Sequence, residues 1–275
     1  MTKKGEDVRE TLEAILKELH LPALRAGYEG MAEQARQEGL SYEQFLLGLV
    51  QRECQERRDR RVERLLDDSD LLLVKTWAAL DLKRLPAKVV QQARTLLEGS
   101  FLDRHENVLV FGQPGSGKTH LLCAIGQELV RSGRKVLFRS CGLLVQELLA
   151  ARRDLKLPKV LKQLSRYHAL VVDDLGYVQQ GREEMEVLFL LLAERYERGS
   201  VLLSSNLPFS KWEAIFKDPM TTAAAIDRLV HHSVILELNV PSYRAEAAKK
   251  AKQGRAAPVN PEAPEAGEGK AGAVG

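Results

Sequence analysis

The stretch Val108 to Leu122, VLVFGQPGSGKTHLL, contains residue types whose spacing is suited to holding phosphate groups. Glycines allow the backbone to curl so that successive N–H groups point at phosphate oxygens, and a following helix adds positive partial charge at its N-terminus. The lysine of such a loop reaches the β- and γ-phosphates, and the hydroxyl after it ligates magnesium. The pattern G-x-x-x-x-G-K-[S/T] is satisfied at every fixed position by Gly112, Gln113, Pro114, Gly115, Ser116, Gly117, Lys118 and Thr119. We therefore predict a site for ATP and Mg²⁺, formed by this P-loop and the adjacent His120.

A pair of acidic residues follows the apolar run Ala169 to Val172, which is typical of a buried strand. Asp173 and Asp174 come directly after it, at the place where a parallel sheet presents side chains to a ligand. We expect Asp173 to hold the magnesium ion together with Thr119, and Asp174 to orient or deprotonate the attacking water. The alternative is that one of these acids only caps a turn, since acidic residues are common in turns.

Another strand-like run, VLLSSNLP, ends in Ser204, Ser205 and Asn206. A polar side chain at that edge of the sheet would reach the γ-phosphate or the water, which makes Asn206 a candidate catalytic residue. The alternative is a turn-forming role before Pro208.

The composition excludes several classes of protein. The chain of 275 residues is 44% hydrophobic and 29% charged, which is typical of a soluble globular protein with one or two domains. The 3 cysteines lie far apart without CxxC spacing, so we expect a reducing cytoplasm and neither a disulfide scaffold nor a zinc site. No window approaches about 20 uncharged apolar residues, so we expect no membrane span.

The distribution of apolar residues predicts the order of elements along the chain. Residues 6–98 carry apolar positions at helical spacing, whereas residues 107–238 alternate short β-rich runs with helices. The expected strands are NVLVF, KVLFRS, ALVVD, SVLLSSN and HSVILEL. Apolar strands that alternate with helices predict an α/β fold with a parallel sheet covered on both faces. After Tyr243 the pattern dissolves into an Ala-, Gly- and Pro-rich segment, which predicts a disordered tail over residues 245–275.

One basic cluster occurs in the run Gln51 to Leu66, QRECQERRDRRVERLL. In a helix, four of its arginines lie at i, i+3, i+4 and i+7 and form one stripe, namely Arg57, Arg60, Arg61 and Arg64. Such a stripe would follow DNA phosphates without reading bases, so binding should be largely independent of sequence. The net charge of +3 is too small to support this by itself. The alternative is an ordinary solvated helix, since Glu53–Arg57 and Glu56–Arg60 are i, i+4 pairs.

With these motifs in this order, the chain resembles the AAA+ ATPases, and within them the IstB-like transposition helpers of the DnaA/DnaC/IstB branch. The segments that carry the resemblance are DDLGY, RYERGS, SSNLPFSKWEAIF, DPMTTAAAIDRLVHHS, SYR and the helical stretch LKELHLPALRAGYEGMAEQARQEGLSYEQFLLGLVQRE. The resemblance extends from about Leu12 to Arg244.

The resemblance implies an AAA+ fold with a parallel five-stranded sheet in the order 5-1-4-3-2, preceded by a small all-α domain. We expect a DNA-binding and oligomerisation domain (1–70), a helical linker (71–104), the ATPase domain (105–244) and the tail (245–275). The resemblance further implies an ATPase, stimulated by DNA, that oligomerises on duplex DNA. Its implied partner is the transposase of the same insertion sequence, which it assists in target selection and transposition.

Two site residues take their roles from the resemblance. Asn206 stands at the position of the sensor asparagine, and Arg228, in AIDRLVHHS, at that of the arginine finger that completes a neighbour's ATP site. A guanidinium there would neutralise charge that develops on the γ-phosphate. The alternative for Arg228 is a surface residue paired with Asp227 or Glu237.

We expect the chain to depart from the general AAA+ pattern after HSVILEL by lacking the usual helical lid. We expect the site to stay open or to be covered by the N-terminal helices of a neighbour. The second acid is Asp174, whereas many AAA+ enzymes have Glu at this position. This difference argues against fast hydrolysis but not against ATP binding. His231 and His232 are expected to be structural, because no carboxylate lies beside them at metal-binding spacing.

Three other functions compete with this interpretation. A replicative helicase loader of the DnaC type shares the ATPase core. A P-loop small-molecule kinase explains the phosphate site, but not Asn206, Arg228 or the basic helix. A non-hydrolysing ATP-dependent DNA clamp uses the same site without turnover.

Overall fold

The computed structural model of the protein describes residues 3–176, 181–212, 219–243 and 246. The predicted disordered tail from residue 245 lies outside these ranges, apart from Glu246. Within them, no helix combines the length and the apolar character needed to cross a membrane.

The amino-terminal region consists of helices α1 (Lys3–Glu18), α2 (Pro22–Glu38) and α3 (Tyr42–Asp67), with α2 packed against α3. The long helix α3 begins with a capping box, in which the Ser41 hydroxyl accepts the Gln44 N–H and the Gln44 side chain accepts the Ser41 N–H. Helix α2 ends at Gly39, whose φ of 65° is readily adopted only by glycine.

A connecting region joins α3 to the sheet and includes a 3₁₀ turn (Leu82–Arg84), α4 (Ala87–Leu97) and α5 (Ser100–Asp103). It begins by covering the edge of the sheet, since the Phe138 N–H donates to the Ser69 carbonyl at 2.7 Å. This contact satisfies one outward-facing N–H group of an edge strand.

The remainder of the fold is a five-stranded sheet with the order β2-β3-β4-β1-β5. Its strands are β1 (Asn107–Gly112), β2 (Val136–Ser140), β3 (Ala169–Leu175), β4 (Ser200–Ser205) and β5 (Ser233–Leu238). Every pairing is parallel. Read from the other side, this is the predicted order 5-1-4-3-2, and the predicted fold class is confirmed.

Helices cover both faces of the sheet, which explains why the strands are apolar at consecutive positions. They are α6 (Lys118–Arg131), α7 (Cys141–Arg153), α8 (Leu157–Leu164), α9 (Arg182–Arg195) and α10 (Pro219–Val230). Side chains alternate between the two layers along β1. Leu109 joins the core formed with α7 and α9, whereas Val108 and Val110 join the core formed with α4 and α6.

Because the strands are parallel, their carboxyl ends meet at one edge of the sheet. Gly112, Leu175, Ser205 and Leu238 end their strands there. Residues that follow these ends are far apart in the sequence and close in space, and this edge therefore positions the candidate site.

Candidate active site

The P-loop connects β1 to α6 at the carboxyl edge of the sheet. Gly115 and Gly117 adopt positive φ angles of 80° and 99°, which side-chain-bearing residues rarely adopt. Gly117 is also the N-cap of α6, so the first N–H groups of this helix are directed at the loop interior. Backbone donors and a helix N-terminus of this kind form an anion site.

Two glycines of the loop are required by close packing. A Cβ on Gly112 would lie 2.7 Å from the Leu238 carbonyl oxygen at the end of β5. A Cβ on Gly115 would lie 2.1 Å from the Ser242 hydroxyl, and the Gly115 carbonyl accepts the Tyr243 N–H at 2.9 Å. The chain after β5 therefore supports the phosphate loop from behind.

The Lys118 side chain is buried and lies across its own loop. Its Nζ donates to the carbonyl oxygens of Gly112, at 2.9 Å, and Gln113, at 3.1 Å. These carbonyls are oxygen acceptors that phosphate oxygens can replace without moving the backbone. The Ser116 hydroxyl is buried in the same loop without a hydrogen-bond partner among the described residues.

The two acids at the end of β3 have different environments. Asp173 is 5% exposed and accepts a hydrogen bond of 2.5 Å from the Ser204 hydroxyl, whereas Asp174 is exposed and has a φ of 61°. The β3–β4 pairing is irregular between Val172 and Leu175, and this irregularity turns consecutive acids to different surroundings. The Ser204 hydroxyl also accepts the Asp174 N–H at 2.9 Å, so one serine orients both residues.

Asn206 follows β4 and is directed into the same region. Its Oδ1 is buried and has no hydrogen-bond partner within the described part of the chain. A buried amide oxygen without a partner costs about 1–3 kcal/mol, so it indicates a group prepared for a ligand or a water molecule.

A cavity of about 360 Å³ brings several of these groups together, but Asp173 is not among the described residues that line it. Its lining includes the loop from Pro114 to His120, Asp174 and Asn206. The remaining lining residues are the apolar or aromatic Ala79, Leu80, Leu85, Val240, Pro241 and Tyr243 and the charged Lys75, Asp81 and Arg84. A phosphate loop that shares a cavity with apolar side chains matches the phosphates and the base of a nucleotide.

The cavity lining also contains a charged residue that sequence reasoning missed, Arg84. The Arg84 guanidinium lies 5.1 Å from the centre of the Tyr243 ring, donates to the Pro241 carbonyl and pairs with Glu246 at 2.9 Å. Arg84 thus joins the connecting region to the chain after β5. The SYR segment was a signal for Tyr243, but no local pattern singles out Arg84.

Three predicted nucleotide contacts have distinct positions. Thr119 is half-buried and lines the cavity, as expected of a residue that faces the phosphates. His120 also lines the cavity, but its Nε2 lies 2.9 Å from the Thr76 carbonyl, which ties α6 to the connecting region. The Gln113 side chain is exposed, and its backbone carbonyl is the part that contacts Lys118.

Comparison with known proteins identifies the family to which this arrangement belongs. Residues 14–251 match the family described as IstB-like ATP binding protein. The chain belongs to that family. It is 41% identical over 238 residues to an insertion-sequence ATP-binding protein from Sinorhizobium fredii, which covers 86% of this chain and 80% of that protein. An IS21 ATP-binding protein from Pseudomonas aeruginosa is 37% identical over 240 residues, with coverage of 87% and 91%.

The fold of the IstB-like chain is also found in solved AAA+ structures. The replication initiator DnaA bound to AMPPCP and single-stranded DNA has a TM-score of 0.54 at 17% identity, covering 70% of this chain and 59% of that one. Domain III of DnaA from Thermotoga maritima has a TM-score of 0.53 at 16% identity, covering 68% and 77%. At these identities the likeness extends to the fold alone.

Arg228 of the IstB-like chain lies at the amino ends of the strands, whereas the P-loop lies at their carboxyl ends. It lines a pocket together with Asn107, the first residue of β1, while the P-loop follows the last. The 6 residues of β1 span roughly 17 Å, farther than an arginine side chain reaches. The guanidinium lies 4.8 Å from the Phe189 ring centre and donates to the Ala224 carbonyl, rather than to Asp227 or Glu237.

A second arginine near this edge, Arg195, is part of the fold. It is 2% exposed and donates to four backbone carbonyls, those of Leu164, Tyr167, His168 and Ser200. Burial lowers the pKa of Arg195 to about 10. Such a cation holds strand ends together and is not available to a ligand.

The four arginines of the predicted stripe line one concave surface between α3 and the α1–α2 corner, which we call the basic groove. Its other cations are Lys17 and Arg25, which sequence reasoning missed because they lie on different helices. The acids that share the groove are Glu53 and Glu63.

Glu53 is 4% exposed and accepts N–H groups from Ala23, at 2.9 Å, and Leu24, at 3.1 Å, at the start of α2. Arg57 donates to it at 2.9 Å and also to the His20 carbonyl. Burial raises the pKa of Glu53, but these hydrogen bonds outweigh it and hold the pKa below its usual value. Arg57 is therefore partly a structural residue.

Another basic surface, which sequence reasoning did not single out, lies on the ATPase core over residues 152–166. The only acid in this run is Asp154, which pairs with Lys156 at 3.2 Å. The exposed cations of this run, in α7, α8 and the turns around them, are Arg152, Arg153, Lys156, Lys159, Lys162 and Arg166. The charge run itself was the signal that could have identified it.

Proposed function

We propose that this IstB-like protein is an AAA+ ATPase that assembles on duplex DNA with ATP and assists the transposase of its insertion sequence in target selection and transposition. The observation that carries the proposal is the cavity where a P-loop, an exposed acid and a buried amide oxygen converge, the last having no hydrogen-bond partner among the described residues.

ATP binding is a property of the family, and the loop geometry supports it in this chain. Lys118 would exchange the carbonyls of Gly112 and Gln113 for the β- and γ-phosphates, while N–H groups of the loop and of α6 bind the remaining oxygens. The Thr119 hydroxyl and Asp173 would hold Mg²⁺, which neutralises phosphate charge when bound. The carboxylate of Asp173 fits this role because Ser204 fixes its orientation from behind.

Hydrolysis requires a water molecule held in line with the γ-phosphate. Asp174 and Asn206 both line the cavity beside the loop, and Asp174 is exposed to water. We assign Asp174 to orienting or deprotonating this water, and the Asn206 amide to a hydrogen bond with the water or the γ-phosphate. The Asn206 oxygen supports this role because it accepts N–H or O–H donors and has no such partner in the described part of the chain.

The proposed ATP site also needs an arginine that faces the γ-phosphate. Arg228 on α10 does not reach the cavity of its own chain. Arg228 lies at the far edge of the sheet, so it would serve a neighbouring subunit rather than its own. A head-to-tail assembly would bring this edge of one subunit against the P-loop edge of the next.

The helical region 1–70 is the proposed site of DNA binding and oligomerisation, joined by the linker 71–104 to the ATPase domain 105–244. The basic groove supports DNA binding, since Arg61 and Arg64 are exposed and form no ion pair with a described residue. Oligomerisation is supported by a row of exposed apolar side chains on one face of α1 and just after it, namely Val8, Leu12, Ile15 and Leu19.

The test is ATP turnover measured with and without duplex DNA of unrelated sequences, and with the transposase of the same element. We expect DNA to raise turnover and Arg61→Ala/Arg64→Ala to lower DNA affinity, with a salt slope shallower by about 0.9 per lost phosphate contact. Arg58→Ala, on α3 outside the groove, is the matched control. Arg57 is left unchanged because its loss would disturb Glu53.

Each competing function has its own outcome in this assay. Turnover that ignores DNA would favour a P-loop kinase. ATP-dependent DNA binding without turnover would favour a clamp, and stimulation by a replicative helicase instead of the transposase would favour a loader.

A further inference from the structure

The fold brings His231 and His232 beside a carboxylate that the sequence did not associate with them. The two histidines form the turn between α10 and β5, and Glu197 lies in the turn between α9 and β4. One ligand atom from each of the three side chains lies within 4.8 Å of the others. The expectation that both histidines are structural depended on the absence of such a carboxylate nearby.

We propose that Glu197, His231 and His232 form a binding site for a divalent transition-metal ion, with zinc as the best-suited ion. Two imidazole nitrogens and one carboxylate oxygen are a donor set that zinc uses in proteins. Magnesium and calcium prefer sites made of oxygen atoms alone, so this set discriminates against the ions that accompany ATP. The site is therefore distinct from the proposed magnesium site in the P-loop cavity.

The geometry requires only side-chain adjustment. Zinc bonds of about 2.0–2.2 Å need ligand atoms closer together than 4.8 Å. All three residues are exposed, so their side chains can rotate inward without disturbing packed neighbours. The two imidazole rings already lie near each other, with centroids 4.1 Å apart.

Tyr196 provides the partner that a metal-binding histidine usually has. Its hydroxyl lies 3.0 Å from His231 Nδ1, which leaves Nε2 of that ring for the ion. A hydrogen bond on the second ring nitrogen fixes the ring orientation, and such partners commonly change metal affinity by about 10–100-fold. Tyr196 is thus a positioning residue for the proposed site.

The charged groups around the site do not attract a cation. Glu106 faces His232 and is paired with Arg104, while Asp227 and Arg228 face Tyr196. Arg195 also lines the pocket beside His232, so three cations accompany these two acids. The affinity must therefore come from the three ligands, which makes it sensitive to each of them.

The experiment is a calorimetric titration of the nucleotide-free full chain with zinc chloride and, separately, magnesium chloride. It measures metal binding alone and does not depend on the proposed ATPase. The chain carries Cys54→Ser, because Cys54 is an exposed thiol that would bind zinc, whereas Cys123 and Cys141 are buried.

We expect one zinc ion per chain and no magnesium heat from this site. His231→Ala, His232→Ala and Glu197→Gln should each weaken zinc binding at least about tenfold, and Tyr196→Phe by about tenfold. His20→Ala, at an exposed histidine in the turn between α1 and α2, is the control and should leave affinity unchanged. Zinc should also raise the melting temperature of the parent chain but not of the Glu197→Gln variant.

Unchanged zinc stoichiometry and affinity in Glu197→Gln would overturn the proposal. Glu197 is exposed, so that variant keeps the test valid even where a histidine variant fails to fold. Equal loss of zinc binding in His20→Ala and the cluster variants would also overturn it, because the binding would then be nonspecific.

Discussion

Arg228 offers the sharpest test of a shared ATP site, because the structure separates it from the P-loop of the same chain. Arg228→Ala removes the half-buried guanidinium that lies 4.8 Å from the Phe189 ring centre, a contact worth about 0.5–2 kcal/mol. The variant should therefore fold and bind ATP. If the guanidinium stabilises charge on a neighbour's γ-phosphate, DNA-stimulated turnover should fall by a factor of about 10³ or more.

Mixing two inactive variants, Lys118→Ala and Arg228→Ala, should restore part of the ATP turnover. The size of this recovery follows from the positions of Lys118 and Arg228 at opposite ends of the strands. Lys118→Ala subunits have a dead nucleotide site but an intact Arg228, and Arg228→Ala subunits have the converse. In a head-to-tail assembly mixed at random in equal amounts, about one quarter of the interfaces join an intact P-loop to an intact arginine. Activity per subunit should therefore recover to about one quarter of the wild-type value.

The assay measures phosphate release from each variant alone and from mixtures at several ratios, at saturating duplex DNA. Recovery should follow the product of the two mole fractions and peak at equal amounts. Arg228→Lys keeps the positive charge but not the planar guanidinium. It should therefore restore only a small part of the turnover that Arg228→Ala loses. A mixture that stays inactive, while each variant still assembles on DNA, would refute the shared site.

Three further predictions concern single chains. Lys118→Ala should abolish tight binding in a fluorescent-nucleotide titration, because its Nζ, which donates to the carbonyls of Gly112 and Gln113, would bind the phosphates in their place; unchanged affinity would place the nucleotide elsewhere. Asp173→Asn should weaken magnesium-dependent nucleotide binding. Asp174→Asn should leave nucleotide binding unchanged and slow turnover by about 10²-fold or more. Equal losses of nucleotide affinity in the two variants would contradict this division of roles. Because the folded-state pKa of Glu53 is lowered, its contribution to stability is complete above the usual value of 4.5 and is lost as the pH falls through the folded-state pKa. Glu53→Gln should therefore flatten the acid side of a plot of unfolding free energy against pH in urea melts, and an unchanged slope would show that Glu53 is not coupled to folding.

The elements of the P-loop and the strands could be predicted from the sequence because their determinants are local. Gly112 to Thr119 are contiguous, and the apolar runs around them reveal a strand and a helix without reference to the rest of the chain. The order of the strands came from the family resemblance, and the structure confirms it. The roles of Asp173 and Asp174 stay predictions.

Tertiary structure decided everything that depends on residues far apart in the sequence. Ser204 orients both acids only because β3 and β4 are neighbours, and Glu197 meets His231 only because the turns at one edge of the sheet converge. Arg84 joins the cavity through its contact with Tyr243, which no local spacing predicts. A local sequence pattern determines the conformation of its own segment. Parallel strands, however, bring residues at their ends together even when those residues are far apart in the sequence. For this reason the phosphate loop could be predicted from the sequence. The cavity residues outside the P-loop, the partners of the two acids and the position of Arg228 required the fold.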